Sequence, residues 1–310
     1  MRIGEDVRRR VIELDRRYRS TFDARAIAHL VGISAATVAK ILREFRGPRP
    51  KRAKQRHTRR TRFLKRDVMW SSDFVELGWG WLLLRTIDEM SGFRLGWDLC
   101  RSETAAAALA HACSIVERMG RAPLVWKYDH GSAFTSDVFQ QFLDEHRVVP
   151  YPTQPRAPWT NGRVERDHQD VHAWLIPLTL ALAGREPAQE VLDREIDDGM
   201  LTFNYVKPRA VHGFRKSAEV YFSSEAAMDN AEGIRARLPY ILNDVALELG
   251  AADPDVGGKM GKHRRESMHR RTVRIALQRL GLYQEWDVAD KKWSPEAGVV
   301  NTTETSNVAF

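Results

Sequence analysis

Two cysteines in 310 residues, Cys100 and Cys113, are too few for a disulfide scaffold or a cysteine-rich zinc module, and they suit a reducing compartment. Long apolar runs are missing as well. The longest, Trp174-Leu-Ile-Pro-Leu-Thr-Leu-Ala-Leu-Ala183, is about half of the ~20 residues a membrane span needs, so no membrane partner is expected. Met1-Arg-Ile-Gly-Glu-Asp6 lacks the apolar stretch of a signal peptide, which leads to the expectation of a cytoplasmic protein. Acid is absent from one place in particular. Residues 46–66 hold eleven Lys or Arg and no Asp or Glu, and without those eleven cations the net charge of +8 becomes −3. What is present is enough for a core: hydrophobic residues make up 43% of the chain, which excludes wholesale disorder, and the length suits two to four units. The basic balance favours a polyanionic partner.

The first 47 residues read as three helices. Val7, Val11, Ile12 and Leu14 recur at helical spacing within residues 6–19. Residues 23–34 and 35–45 follow, with Asp23 and Ser34 placed to cap the helices after them. Gly32 supplies a left-handed turn, Ala28 allows close approach, and Ile27, Val31, Ile33, Val38, Ile41 and Leu42 form the shared core. The pattern resembles the helix-turn-helix of transposases and bacterial regulators. By that likeness Ala35, Ala36, Thr37, Lys40 and Arg43 face a DNA major groove. A three-helix cap that binds nothing is the plainer alternative.

Behind this module lies the basic stretch, broken from any helix by Pro48 and Pro50. Alone it reads as a solvated linker. Directly after a DNA-reading module, Arg52, Arg56, Arg59 and Arg60 are candidates for phosphate contacts that release counterions. A second basic cluster, residues 259–279, reads as a solvated helix face.

From residue 67 the periodicity changes. Residues 68–75, 81–87 and 93–99 read as antiparallel strands, with the turn composition Asp88-Glu-Met-Ser-Gly92 between the last two. Residues 103–119 are an alanine-rich helix closed by Gly120. A short buried strand over 123–129, a helix over 134–146, a fifth strand over 148–151 and a third helix over 161–174 complete the order β-β-β-α-β-α-β-α. That order matches a ribonuclease-H-like fold, α/β with a mixed five-stranded sheet flanked by helices, here preceded by the all-α module. Its topology brings three carboxylates together: Asp73 on the first strand, Asp129 ending the fourth, and Glu165 one turn into the third helix, with thirty-five residues between it and Asp129. Such an oxygen cage suits two hard divalent cations and phosphodiester chemistry.

Trp70-Ser-Ser-Asp73, Asp129-His-Gly-Ser-Ala-Phe-Thr-Ser136 and Pro158-Trp-Thr-Asn-Gly-Arg-Val-Glu165 resemble the three signature blocks of the integrase catalytic core, shared by retroviral integrases and the transposases of bacterial insertion sequences. The likeness runs from about residue 67 to 222, since Phe203-Asn-Tyr, Pro208-Arg, His212-Gly-Phe and Ala218-Glu-Val-Tyr221 echo a segment that often follows the core in insertion-sequence transposases. It implies that Asp73, Asp129 and Glu165 are catalytic and metal-binding, with two Mg²⁺ or Mn²⁺ and neither zinc nor nucleotide. It also implies double-stranded DNA partners (element ends and target), a homodimer or higher oligomer on DNA, and a nucleoid-associated location. The expected reaction is metal-dependent 3′-end cleavage and strand transfer. The rivals are a DNA-binding regulator with an inert core and a host nuclease of the same fold.

The departures are specific. Retroviral integrases carry a His₂Cys₂ zinc module, and no cysteine occurs here before Cys100. Gln169 and His172 stand on the helix face where retroviral relatives place lysines, so DNA contacts there shift to Arg163 and Arg166. His130 replaces the usual Asn after the second Asp, open between a phosphate contact and no role. Asn161 is open between a helix cap and a substrate contact, Gly131 and Gly162 serve the turns around the second and third acids, and Asp88 reads as structural. The expected division is 1–47 helix-turn-helix, 48–66 basic linker, 67–222 catalytic core with its extension, and 223–310 of unassigned role. Within the last, 226–250 and 266–281 read as helices, 251–261 as a linker, and the tail from about 294 as disordered.

Overall fold

The computed structural model describes residues 4–46, 59–154, 162–251 and 261–287. Arg52, Arg56, Asn161 and the tail from 294 therefore lie outside the described residues. So do the side chains of Arg59, Arg163 and Glu165, although their backbones fall inside elements.

Three helices come first: α1 (Glu5–Arg17), α2 (Ala24–Val31) and α3 (Ala35–Arg46). Asp23 accepts the Ala26 amide at 2.8 Å and Ser34 accepts that of Thr37 at 3.1 Å, so both expected caps form. Gly32 takes φ 74°, the left-handed conformation that closes α2 without a Cβ penalty. Val11, Leu14, Phe22, Ile27, Val38, Ile41 and Leu42 bury together, while Ala36, Lys40 and Arg43 stay exposed on α3 and Ala35 and Thr37 are half-buried. The loop after α1 touches the rest of the molecule. Arg19 donates to the Trp174 carbonyl at 2.9 Å, pairs with Glu195 at 2.5 Å and lies 4.4 Å from the Trp174 ring centre.

The basic stretch does not remain a linker to residue 66. Residues Arg59–Phe63 form β1, antiparallel to β7 (Tyr283–Asp287), so the segments before and after the main sheet are tied in one ribbon. Alternating Arg and Thr with Phe63 gives a strand one apolar anchor, which packs on Tyr283. The surrounding charge hides that anchor in the sequence.

The main sheet has five strands: β2 (Met69–Gly78), β3 (Trp81–Asp88), β4 (Arg94–Cys100), β5 (Val125–Tyr128) and β6 (Val149–Pro152), in spatial order β4-β3-β2-β5-β6. The first three are antiparallel, and β5 and β6 run parallel to β2. This is the ribonuclease-H-like order the pattern predicts. Strand alternation divides the faces. Trp70, Leu84 and Trp126 pack with α4 (Ala105–Met119) and the short helices α5 (Ser132–Thr135) and α6 (Asp137–Glu145). Val75, Leu77 and Leu83 face the opposite way, onto α7 (Gly162–Leu182) and α8 (Gln189–Tyr205). The expected end of the third helix, 174, is overrun by two turns because Trp174, Leu175 and Leu178 still pack on the sheet and α8, and Pro177 is accommodated inside.

The segment after residue 222 is not an appendage. After α9 (Ser217–Tyr221), helices α10 (Ala231–Ala251) and α11 (Lys262–Arg279) bury Leu238, Val273, Ala276 and Leu277 against Val68, Met69, Leu124 and Val125. Arg270 of the basic cluster turns inward to the Pro152 carbonyl at 3.2 Å, and His269 donates to that of Pro150 at 2.7 Å. The cluster is therefore part packing device and part exposed face. No single described helix is long and apolar enough to cross a membrane.

Candidate active site

Asp73 sits in the middle of β2, on the face that meets α7, because it lies two and four residues before Val75 and Leu77 and so shares their side of the strand. Asp129 leaves the end of β5, the parallel neighbour of β2, and its Oδ1 accepts the Gly131 amide at 2.9 Å. The two carboxylates are within electrostatic reach. Burial pushes the Asp129 pKa up, and Asp73 adds to that rise, against the Gly131 amide and His130. Glu103, at the mouth of α4, is raised for the same reasons: burial first, then Asp129, then Asp73. Glu165 is one turn into α7, the helix that packs on the Val75 and Leu77 face of the sheet.

Gly131 does not adopt a left-handed conformation, as a sharp turn would suggest; its φ is −57°. It is there for room. A Cβ on it would lie 3.0 Å from Asp129 Oδ1 and 3.5 Å from Glu103 Oε2. Glu103 lies outside the site expected from the motifs. Its only sequence signal is an acid just before the helix cap Thr104, a position that usually reflects the helix dipole.

On α7 the expected face is shifted. His168, rather than Gln169, meets the site, with Nε2 3.1 Å from Asp73 Oδ2 but out of hydrogen-bond alignment. His172 stands one turn further, its pKa lowered by burial and then by His168. Arg166 and Gln169 are exposed. His130 is held locally, where its Nε2 donates to the Thr153 carbonyl at 2.6 Å and lies 3.9 Å from Glu266 of α11.

Beneath the site lies a polar chain that looks like a hydrolytic relay. His111 pairs with Asp98 through Nδ1, while its Nε2 is 2.9 Å from Thr86 Oγ1, itself 2.6 Å from Ser72. Thr86 is fully buried, so no substrate reaches it and the chain serves to bind β2, β3, β4 and α4 together.

Several residues of the extension have structural roles. Asn204 brackets the Arg94 backbone, accepting from its amide at 2.9 Å and donating to its carbonyl at 3.0 Å. His212 donates to the Ser91 carbonyl at 3.0 Å, and Tyr221 to Asp67 at 2.6 Å.

Residues 65–158 match the integrase core domain family. That match takes in Asp73 and Asp129, stops before Glu165, and supports an integrase- or transposase-type function. No curated protein matches the chain. Among solved structures it is similar to a chain of the simian T-cell lymphotropic virus intasome in complex with PP2A regulatory subunit B56 gamma: 19% identity over 69% of this chain and 74% of that one, TM-score 0.47. It is also similar to the HTLV-2 integrase catalytic core domain in complex with magnesium, at 20% identity over 52% and 99%, TM-score 0.42. The BIV integrase catalytic core domain gives 19% identity over 51% and 96%, TM-score 0.41. The fold itself rests on the strand order and register above.

Among the described residues, no three His, Cys, Asp or Glu gather closely enough to hold a metal ion. The donors that do converge, the carboxylates of Asp73 and Asp129, are hard oxygens that repel one another. That set fits Mg²⁺ or Mn²⁺ rather than a soft metal.

Proposed function

We propose that the chain is a transposase of the insertion-sequence kind, a polynucleotidyl transferase that cleaves DNA at the ends of a mobile element and joins the freed 3′-OH to target DNA. The observation that carries this reading is that Asp73 and Asp129 stand on and just after neighbouring parallel strands within electrostatic reach of each other, with position 165 one turn into the helix packed on the Asp73 face. Asp73, Asp129 and Glu165 would hold two Mg²⁺ or Mn²⁺ ions, which when bound activate the attacking oxygen and stabilise the leaving one. The protein's own part is positional. Gly131 fixes one oxygen of Asp129 through its amide, and His168 faces one oxygen of Asp73.

Binding belongs to other surfaces. Ala36, Lys40 and Arg43 are exposed on α3 for a major groove, and Arg60 is exposed on β1 near the basic stretch that would follow the phosphate backbone. Ala35 and Thr37 flank them, while Arg52, Arg56, Arg59 and Arg163 enter from sequence alone and Arg166 from its exposure on α7. Joining two ends requires at least a dimer on DNA.

The test needs no knowledge of the end sequence. Supercoiled plasmid with the full chain and Mn²⁺ should yield nicks bearing 3′-OH, and a labelled duplex carrying a free 3′-OH should become joined to that plasmid. Nicking without joining would favour a host nuclease; DNA binding with neither would favour a regulator.

A further inference from the structure

The helix that carries Glu165 is held by a buried ionic clamp that none of the three signature blocks contains. Asp167, two residues after Glu165 in α7, points away from solvent into the sheet. Its Oδ2 lies 2.9 Å from Arg85 Nε of β3, and its Oδ1 pairs with Arg94 Nη2 of β4. One turn later Asp170 takes Lys207 Nζ at 2.6 Å and stands 3.9 Å from Arg94 Nη2. Both arginine side chains are 1% exposed or less. Arg85 is also the cross-strand partner of Asp73 in the β2–β3 ladder. A single guanidinium therefore joins the strand paired with the first acid to the helix bearing the third.

Stability does not account for this arrangement. Buried ion pairs seldom outperform apolar residues of the same volume, because desolvating the charges offsets their attraction. Here, among the described residues, Asp167 Oδ2 and two nitrogens of Arg94, Nε and Nη1, are buried without a hydrogen-bond partner. The gain lies in direction. A leucine in place of Asp167 would let α7 rotate or slide by a fraction of a turn, whereas a carboxylate hydrogen-bonded through Oδ1 to Arg94 and ion-paired through Oδ2 with Arg85 on the next strand is held from two sides.

We propose that Arg85 and Arg94, gripping Asp167, are positioning residues that set the register of α7 and so the place of Glu165 and His168 against Asp73 and Asp129. The inference rests on the proposed metal-dependent function for its consequence, though not for its geometry. It is tested on the full chain as wild type, Asp167→Asn, and Trp174→Phe, which loosens a later turn of the same helix at the Glu195 carbonyl. Mn²⁺ alone is the probe, its binding read from the EPR signal of the free ion, and amide hydrogen exchange over 166–173 reads the helix directly. Asp167→Asn should weaken Mn²⁺ binding about ten- to hundredfold, the range for losing a group that orients a metal ligand, while Trp174→Phe leaves it unchanged. Exchange in the first turns of α7 should accelerate about tenfold or more in Asp167→Asn, with β2 and β5 amides unaffected. If Asp167→Asn does not fold, Arg85→Lys, which keeps the charge but loses the Nε that faces Asp167 Oδ2, carries the same expectation. Wild-type exchange and Mn²⁺ affinity in the clamp variant, or an equal loss of Mn²⁺ in Trp174→Phe, would overturn the proposal. A wild-type chain that binds no Mn²⁺ would count against the metal-dependent function, and exchange alone would then decide the clamp.

Discussion

Asp88 ends β3 wholly buried, its Oδ2 accepting the Asp67 amide at 2.9 Å and its Oδ1 both the Ser91 amide and hydroxyl. Burial first, then Asp67, raise its pKa from 3.8 to about 6. Because the folded value is the higher one, the stability it contributes is fully present below the unfolded value and is lost as pH rises through about 6. The difference amounts to about 3 kcal/mol. Asp88→Asn removes that titration, so the stability of wild type relative to the variant should decline by about that amount between pH 4 and 7, read by urea unfolding. A pH-independent difference would contradict the burial assigned to it. Cleavage per folded molecule should survive the substitution, since Asp88 hydrogen-bonds to Asp67 and Ser91 rather than to the site. Gly131→Ala is the opposite case. Alanine accepts a φ of −57°, so the fold should persist, but the new Cβ 3.0 Å from Asp129 Oδ1 displaces a carboxylate by a few tenths of an ångström. Plasmid nicking should fall about tenfold at unchanged circular dichroism.

At the level of elements, what sequence could reveal was what local chemistry determines. The caps Asp23 and Ser34, the turn at Gly32 and the three antiparallel strands announce themselves by residue type and period, and the first two acids inherit their places from the strands. The clamp around Asp167 could not be read that way. Its members are 73 residues or more apart in three of four pairs, and a charged helix residue reads as solvent-facing until a buried partner is known. Glu103 and His168 escape notice for the same reason, and the packing of α10 and α11 on the core because their apolar positions are sparse between charges. The β1–β7 ribbon bears on the test of the N-terminal module. Removing residues 1–46 spares β1, and the truncated chain should keep Mn²⁺-dependent nicking while losing preference for any particular duplex. Retained selectivity, measured by competition gel shift, would remove the recognition role from α3.

Across the whole molecule, the charge is divided along the chain: eleven cations in residues 46–66 against a remainder that is net negative. Reversing Arg60 together with Arg62, both exposed on β1, should weaken binding of all duplexes about equally and flatten its salt dependence, because phosphate contacts carry no sequence information. A change confined to one sequence would mean that the ribbon reads bases. The central claim, that Asp73, Asp129 and Glu165 act through metal on DNA held elsewhere, is tested most directly by a paired measurement on Glu165→Gln: gel-shift affinity for a duplex, and Mg²⁺- or Mn²⁺-dependent release of a 3′-OH from the same duplex. The substitution keeps the shape and removes one charge. Affinity should stay within about threefold of wild type or rise, and cleavage should drop by at least about a thousandfold, as expected when the metals' charge stabilisation is lost. Cleavage by Glu165→Gln at near wild-type rate would contradict the account.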